Sequence, residues 1–197
     1  MDFRKMIFEQ KQPVAVVCKS GRAMIAINEQ VVKTVENVPT GMDESGEMSY
    51  EERVKQQYAY DVCWIEGVSS EADVLDSAKV AVAKEITAYD SSSAVNGFIL
   101  NGQRVWLDKA TRVGLMNSTT IAKAMGQATT TLWLGEVKLV VECDKAIQLL
   151  SALEMYALEC FNVTAAHKKA VSEMGTVESV LGYDYTKGYP EVLTMNV

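Results

Sequence analysis

The sequence predicts an α+β protein, in which a small antiparallel β-rich N-terminal domain precedes an α-ββα-ββα module with a long C-terminal helix. Short runs of β-branched and aromatic residues dominate residues 1–68. Two later pairs of such runs each have a glycine-containing turn and each lead into a stretch with helical periodicity. The predicted domains are therefore residues 1–68, a connecting helix over residues 69–93, and the C-terminal module over residues 94–197.

The N-terminal domain is predicted to form a small antiparallel sheet or a partial barrel. A Gly-containing loop at residues 19–21 joins two β-prone runs, which is typical of a hairpin. The predicted strands cover residues 4–9, 14–18, 22–27, 31–36 and 58–65. Residues 50–60 are ambiguous, since their start could be helical, although the aromatic and β-branched residues that follow favour a strand. Residues 40–46 are rich in Gly, Asp, Glu and Ser, so they are predicted to form a loop.

The connecting helix begins at a pair of residues that resembles a capping box. Ser70 and Asp73 have the required spacing, with Asp in place of the usual Glu. The predicted buried stripe contains Leu75, Ala78, Val82, Ile86 and Tyr89. This stripe approximates a heptad, which would allow a homo-oligomer, but about 20 residues are too short to hold one alone. Packing within the chain is the expected use.

The C-terminal module is predicted to repeat a β-β-α unit. Asn101 and Gly102 form a turn dipeptide, because both central residues of a type I′ turn need a positive φ. A second hairpin turns at Gly135. Asp108 and Asp144 each begin an Asp-Lys-Ala tripeptide after a hairpin, so each is predicted to cap a helix.

The two helices of this module have predicted buried stripes. The first contains Val113, Met116, Thr120, Ile121 and Ala124. The second helix is predicted over residues 145–174, and its stripe contains Ala146, Leu149, Leu150, Leu153, Ala157, Cys160, Thr164 and Val171, widened by Ile147, Leu158 and Phe161. Thr176 is predicted to cap a short helix that ends at Leu181.

The sequence offers no recognisable catalytic, cofactor or metal site. A Ser-His-Asp or Cys-His site would need the single histidine, His167, as its base. Two lysines follow His167 and would disfavour its protonated form, so a catalytic role is not expected. The four cysteines are dispersed and are expected to be buried thiols, and no phosphate-binding glycine motif is present. Asp108 and Asp144 would suit a hydrolase by residue type, but capping explains both. We therefore predict a protein that is not an enzyme and binds no cofactor.

Charge and hydropathy limit the partners. The chain carries 19 basic and 26 acidic residues, a formal net charge of −7, which argues against nucleic acid and anionic membrane as partners. The N-terminal residues lack the apolar core of a signal peptide, so we expect a cytoplasmic protein or one assembled there.

The aromatic C-terminal tail is the candidate contact surface. Tyr183, Tyr185 and Tyr189 lie close together in the sequence, near Gly188 and Pro190. Exposed tyrosines suit protein or sugar binding, because they combine a flat apolar ring with a hydroxyl group. The alternative is that they lay the last residues onto the core.

Several long segments resemble one domain family of unknown function, found in tail- or fibre-associated proteins of tailed phages and of Bacteroidales prophages. The segments are residues 95–102, 105–115, 130–134, 144–153, 159–167 and 183–190. The resemblance covers about residues 83–197 and carries no catalytic residues to transfer. It leaves residues 1–68 without a counterpart.

The resemblance implies a structural or adaptor protein of a phage virion, associated with the tail, neck or fibres. Its partners would be other phage structural proteins, and its place would be the virion, after assembly in the host bacterial cytoplasm. Two alternatives stay open: a fibre-assembly chaperone that leaves before completion, and a carbohydrate-binding module that contacts the host surface through the aromatic tail.

Overall fold

The computed structural model describes residues 1–42 and 46–197, and it confirms the α+β class. Two compact units are present. Unit 1 contains residues 1–81 and 175–182, and unit 2 contains residues 82–174 and 183–197. This division differs from the predicted boundaries at residues 68 and 93, because it falls inside the first helix. Residues 175–182 belong to unit 1, where Val177 and Val180 are buried.

Unit 1 contains a four-stranded antiparallel sheet in the order β1-β4-β3-β2. Its strands are β1 (Arg4–Phe8), β2 (Ala15–Cys18), β3 (Arg22–Met42) and β4 (Met48–Glu66). The predicted edge strand and first hairpin are therefore present. Met24, Ala26, Tyr60 and Val62 form a buried cluster on this sheet.

Strands β3 and β4 are much longer than predicted. The predicted strands over residues 22–27 and 31–36 are one strand, because a bulge between Ile27 and Gln30 absorbs the irregularity without ending the pairing. Asn28 takes the positive φ of 58° that this bulge contains. The loop predicted over residues 40–46 is wrong up to Met42, which still pairs with Met48, and its residues 43–45 lie outside the described residues.

Helix α1 (Glu71–Asp90) begins with the predicted capping box. The Asp73 N–H donates to Ser70 Oγ at 3.2 Å, and the Ser70 N–H donates to Asp73 Oδ2 at 2.9 Å. Ala78, Val82 and Ile86 are buried as predicted. Val74 is buried in place of Leu75, so the stripe begins one residue earlier and is occupied within the chain.

Unit 2 contains the predicted pair of hairpins, each followed by a helix. Its elements are α2 (Ser93–Asn96), β5 (Gly97–Leu100), β6 (Gln103–Trp106), α3 (Lys109–Ala124), β7 (Thr129–Leu134), β8 (Val137–Glu142), α4 (Cys143–Glu173) and β9 (Thr194–Met195). The short helix α5 (Val177–Leu181), capped by Thr176, belongs to unit 1. Asn101 and Gly102 have φ values of 49° and 80°, as a type I′ turn requires.

The core of unit 2 lies where α4 meets the hairpins. The buried cluster contains Phe98, Leu100, Val105, Leu107, Leu132, Leu134, Val141, Ala146, Leu149, Leu150 and Leu153. The unpredicted strand β9 adds to β5 in parallel, and the Val197 N–H donates to Asn101 Oδ1 at 2.9 Å. Residues 194–197 are thereby fixed against the β5–β6 hairpin. None of the described helices is long and apolar enough to cross a membrane.

The predicted stripe of α3 is wrong, because the helix is rotated about its axis relative to the expected orientation. Val113 and Ile121 are exposed, as are Thr120 and Ala124, and only Met116 is half-buried. The buried side chains are Arg112 and Thr119. Arg112 is held inside by polar partners, which a pattern of apolar residues does not reveal. The predicted stripe of α4 is largely confirmed, although Leu158 and Phe161 are exposed.

Candidate functional site

The two aspartates that begin the Asp-Lys-Ala tripeptides have different roles. Asp108 caps α3, since its Oδ1 accepts from the Thr111 N–H at 2.8 Å. Asp144 does not cap α4, which corrects the prediction. β8 runs into α4 without a loop, so Glu142 occupies the cap position and Asp144 pairs with Lys123 from the first turn.

The electrostatics of Asp108 oppose catalysis by a protonated acid. The hydrogen bond from the Thr111 N–H, together with the Thr111 hydroxyl, holds the pKa of the Asp108 carboxyl below its usual range. A general acid at neutral pH needs a raised pKa. The lowered pKa therefore argues against Asp108 as the general acid of a hydrolase, and its capping role accounts for its position.

Replacing Asp108 by alanine is expected to lower the free energy of unfolding by about 1 kcal/mol, because the first turn of α3 loses its cap. Asp108→Asn should be nearly neutral, since asparagine caps equally well. Asp144→Ala removes only an exposed ion pair and should change stability by about 0.5 kcal/mol or less. Urea denaturation of the three variants checks this order, and equal losses for Asp108→Ala and Asp144→Ala would contradict it.

His167 holds the closing segment of unit 2. Its Nδ1 lies 2.7 Å from the Tyr183 hydroxyl, and its Nε2 lies 2.9 Å from the carbonyl oxygen of Lys187. A carbonyl only accepts, so Nε2 carries the proton, and in the neutral ring Nδ1 accepts from Tyr183. Both ring nitrogens therefore have structural partners. In the described part of the chain, no three His, Cys, Asp or Glu side chains gather as metal ligands.

The three tyrosines predicted as a contact surface lie together, and each hydroxyl has a partner within unit 2. Besides the bond from Tyr183, the Tyr189 hydroxyl lies 2.9 Å from Thr164 Oγ1, and the Tyr185 hydroxyl donates to Glu85 at 3.4 Å. Tyr183, Tyr185 and Tyr189 are each half-buried. Burial raises the pKa of Tyr189 and of Tyr185 above the ordinary tyrosine value.

The aromatic cluster is anchored by Tyr89 and Thr164, which were predicted on helix stripes but were not connected with the tail. The ring of Tyr89 meets those of Tyr185 and Tyr189 edge to face, with centroids 5.8 Å and 5.6 Å apart. The buried Thr164 hydroxyl donates to Asp90 Oδ1 at 2.9 Å, so it accepts from Tyr189. This arrangement favours the interpretation that the tyrosines lay the closing segment onto α1 and α4.

Unit 2 has one notable groove, with a volume of about 610 Å³, beside α3 and α4. Its exposed apolar side chains are Trp106, Leu158 and Phe161. Among its charged groups, Arg112 pairs with Glu154, Asp108 caps α3 and Asp90 accepts from Thr164. The groove therefore offers a moderate apolar surface, and its main polar groups are engaged internally.

The largest uncovered feature of unit 1 is an extension of its sheet, which we call the β-arm: residues 31–42 of β3 and residues 48–57 of β4. Strand β2 pairs only with Arg22 to Ile25, and β1 pairs only with Tyr58 to Val62, so in the arm β3 and β4 pair only with each other. No described residue of the arm is buried. A two-stranded hairpin alone is marginally stable in water, and its outer edges have unpaired backbone groups.

One face of the β-arm carries most of its apolar side chains, at levels that alternate with the polar pairs Lys33–Gln56 and Asn37–Glu52, and we call it the apolar arm face. Directly opposed residues share a face of an antiparallel pair. The pairs Val35–Val54 and Pro39–Tyr50 of the arm, and the pair Val31–Tyr58 at its base, are four residues apart and therefore all lie on this face. Tyr58 also pairs with Phe8 of β1 and is half-buried. Val35, Val54 and Tyr50 are 60%, 61% and 61% exposed.

The opposite face of the β-arm is polar. Its pairs are Val32–Gln57, Thr34–Lys55, Glu36–Arg53 and Val38–Glu51, in which charged and polar side chains outnumber the two valines. Lys55 also binds Glu9 at 2.6 Å and lies 3.8 Å from Glu36. The arm is thus amphipathic, with one solvated face and one face whose apolar side chains are uncovered. Within this chain the apolar arm face is the strongest candidate for a contact surface.

Comparisons with protein-family models, with curated proteins and with solved structures find no match for this chain.

Proposed function

We propose that this protein is a non-enzymatic structural or adaptor component of a tailed-phage particle, associated with the tail, neck or fibres and assembled in the host bacterial cytoplasm. The observation that carries the proposal is the apolar arm face. The phage context comes from the resemblance of residues 83–197 to the domain family of tail- and fibre-associated proteins. The partners would be other phage structural proteins, without nucleic acid or membrane.

The apolar arm face fits a partner that is a protein. Burying apolar surface contributes about 25 cal/mol per Å², and Val35, Val54 and Tyr50 leave most of that contribution unused. A partner would also rigidify a hairpin that has no other strand beside it. Aromatic and aliphatic anchors surrounded by charged residues are the usual composition of a protein interface.

Mass spectrometry of purified particles tests the proposal, and we expect this chain at a fixed ratio to the major virion proteins. A phage that encodes Val35→Lys and Val54→Lys should produce particles that lack the chain or fail to assemble. The matched control is Val38→Lys, on the opposite face of the arm, which should leave incorporation unchanged. Absence of the unmodified chain from intact particles would contradict the proposal, and its presence only in unfinished fibres would favour the chaperone alternative.

A further inference from the structure

The apolar arm face has a pattern that is complementary to itself. Each pair of directly opposed residues forms one level of the face, and apolar pairs form two levels within the arm, Val35–Val54 and Pro39–Tyr50, and a third at its base, Val31–Tyr58. Successive apolar levels are four residues apart, or about 14 Å, at about 3.4 Å per residue. One polar level lies between each two successive apolar levels. The order of apolar and polar levels is therefore symmetric about the Val35–Val54 level.

The two polar levels have opposite character. Lys33 and Gln56 form the level on the side of the sheet, and Asn37 and Glu52 form the level on the side of the tip. Neither Lys33 nor Glu52 forms an ion pair within residues 1–42 and 46–197. One positive group therefore stands on one side of the centre, and one negative group stands at the same distance on the other.

We propose that the apolar arm face binds the same face of a second copy of this chain, about a two-fold axis that passes through the Val35–Val54 level. The axis lies between the faces and perpendicular to the strands, so the two arms run in opposite directions. This inference rests on the proposed function only in that both assign binding to the apolar arm face. The second copy would occupy that face before another virion protein binds it. A two-fold contact of this kind requires a self-complementary patch, which the arm provides.

The symmetry brings complementary groups together at every level. At the centre, Val35 and Val54 meet their own copies. At the polar levels, Lys33 of one arm stands beside Glu52 of the other, and the contact occurs twice. Facing sheets lie about 10 Å apart, a distance that a lysine and a glutamate side chain span together.

The outer apolar levels also match. The Val31–Tyr58 level at the base of one arm faces the Pro39–Tyr50 level of the other, so the exposed Val31 meets Pro39 of the second copy. Tyr50 meets the part of Tyr58 that neither the buried cluster nor Lys11, 5.5 Å from the ring centroid, covers. Aromatic pairs of this kind add stabilisation beyond the area they bury. A dimer in the opposite sense, with parallel arms, would instead place Lys33 beside Lys33 and Glu52 beside Glu52, which disfavours it.

The size of the face sets the expected strength. The three apolar levels span about 27 Å of strand length, and two strands are about 10 Å wide. This strip is smaller than the roughly 800 Å² that each partner buries in a standard interface, so we expect a weak and reversible dimer. A dimer of this strength is visible at laboratory concentrations and can dissociate during assembly.

Sedimentation equilibrium of the full chain tests the inference, from about 1 μM to about 200 μM, a range that extends to the concentrations at which weak dimers form. We expect a monomer–dimer equilibrium. Lys33→Glu and Glu52→Lys should each weaken the dimer about tenfold, because an attraction that occurs twice becomes a repulsion. The double variant Lys33→Glu/Glu52→Lys exchanges the charges and should restore the affinity to within about threefold.

The controls place equivalent charge changes on the other face of the same arm. Arg53→Glu and Glu51→Lys should leave the dimer unaffected, because both residues face away from the contact. A chain that stays monomeric at the highest concentration, or a double variant no tighter than the single ones, would overturn the inference. Either result leaves the proposed function standing, because incorporation of the monomer into particles is measured separately by mass spectrometry.

Discussion

Replacing Glu154 by leucine is expected to lower the free energy of unfolding of unit 2 by about 3 kcal/mol, because it leaves the charge of Arg112 without its carboxylate. The Arg112 side chain is only 10% exposed, and that of Glu154 is 35% exposed. Arg112 Nε donates to Glu154 Oε1 at 2.9 Å, and its Nη1 donates to the Leu107 carbonyl at 2.8 Å. The carbonyl alone does not compensate a guanidinium removed from water.

Urea denaturation in a Trp64→Phe background measures this effect, because the remaining tryptophans, Trp106 and Trp133, belong to unit 2. The double variant Arg112→Met/Glu154→Leu should recover about half or more of the lost free energy of unfolding. It removes the unpaired charge and fills the same space with apolar side chains. Glu154→Gln, which keeps an acceptor, should lose less than Glu154→Leu. If the double variant is no more stable than Glu154→Leu, an unpaired charge is not the cause.

The features that were predictable are those determined by neighbouring residues. The Asn101–Gly102 turn, the Ser70–Asp73 capping box and the Asp108 cap all depend on chemistry within a few residues, and all three are present. Asp144 shows the limit of this reasoning. Its residue type suits a cap, but the cap position is set by where β8 stops, and the strand continues to Glu142.

The features that were missed depend on partners distant in the sequence. Arg112 is buried because Glu154 and the Leu107 carbonyl accept hydrogen bonds from its guanidinium. Helical periodicity alone predicts that an arginine is exposed. The β-arm was missed for the same reason. Residues 48–57 form a strand because they pair with β3. Their own alternation of residue types does not show which residues of β3 they pair with.

The apolar arm face was not among the predicted contact surfaces, because residue type alone does not show which side chains are exposed. The tyrosines of the tail have the residue types of a contact surface, yet their hydroxyls bond within unit 2. Val35, Val54 and Tyr50 are more ordinary as sequence, but pairing places them on one exposed face. Exposure after folding, which sets the availability of a side chain, cannot be read from residue type.

Tyr189 is expected to be a stability determinant of unit 2, and Tyr189→Ala should lower its free energy of unfolding by about 3 kcal/mol. The substitution removes a half-buried ring that meets Tyr89 at 5.6 Å and His167 at 5.6 Å between centroids. It also deprives the buried Thr164 hydroxyl of its donor. Tyr189→Phe keeps the ring and loses only the hydrogen bond, so its effect should be about 1 kcal/mol.

The matched control is Tyr50→Ala, which removes a tyrosine that is 61% exposed on the β-arm and should leave the stability of unit 2 unchanged. Denaturation in the same Trp64→Phe background measures all three variants. A glycan-binding tyrosine at position 189 would show the opposite behaviour, with unchanged stability and a loss of binding on a glycan array. The size of the Tyr189→Ala effect therefore distinguishes a residue that holds the closing segment from one that faces a host-surface sugar, and Tyr189→Phe separates the contribution of the ring from that of the hydroxyl.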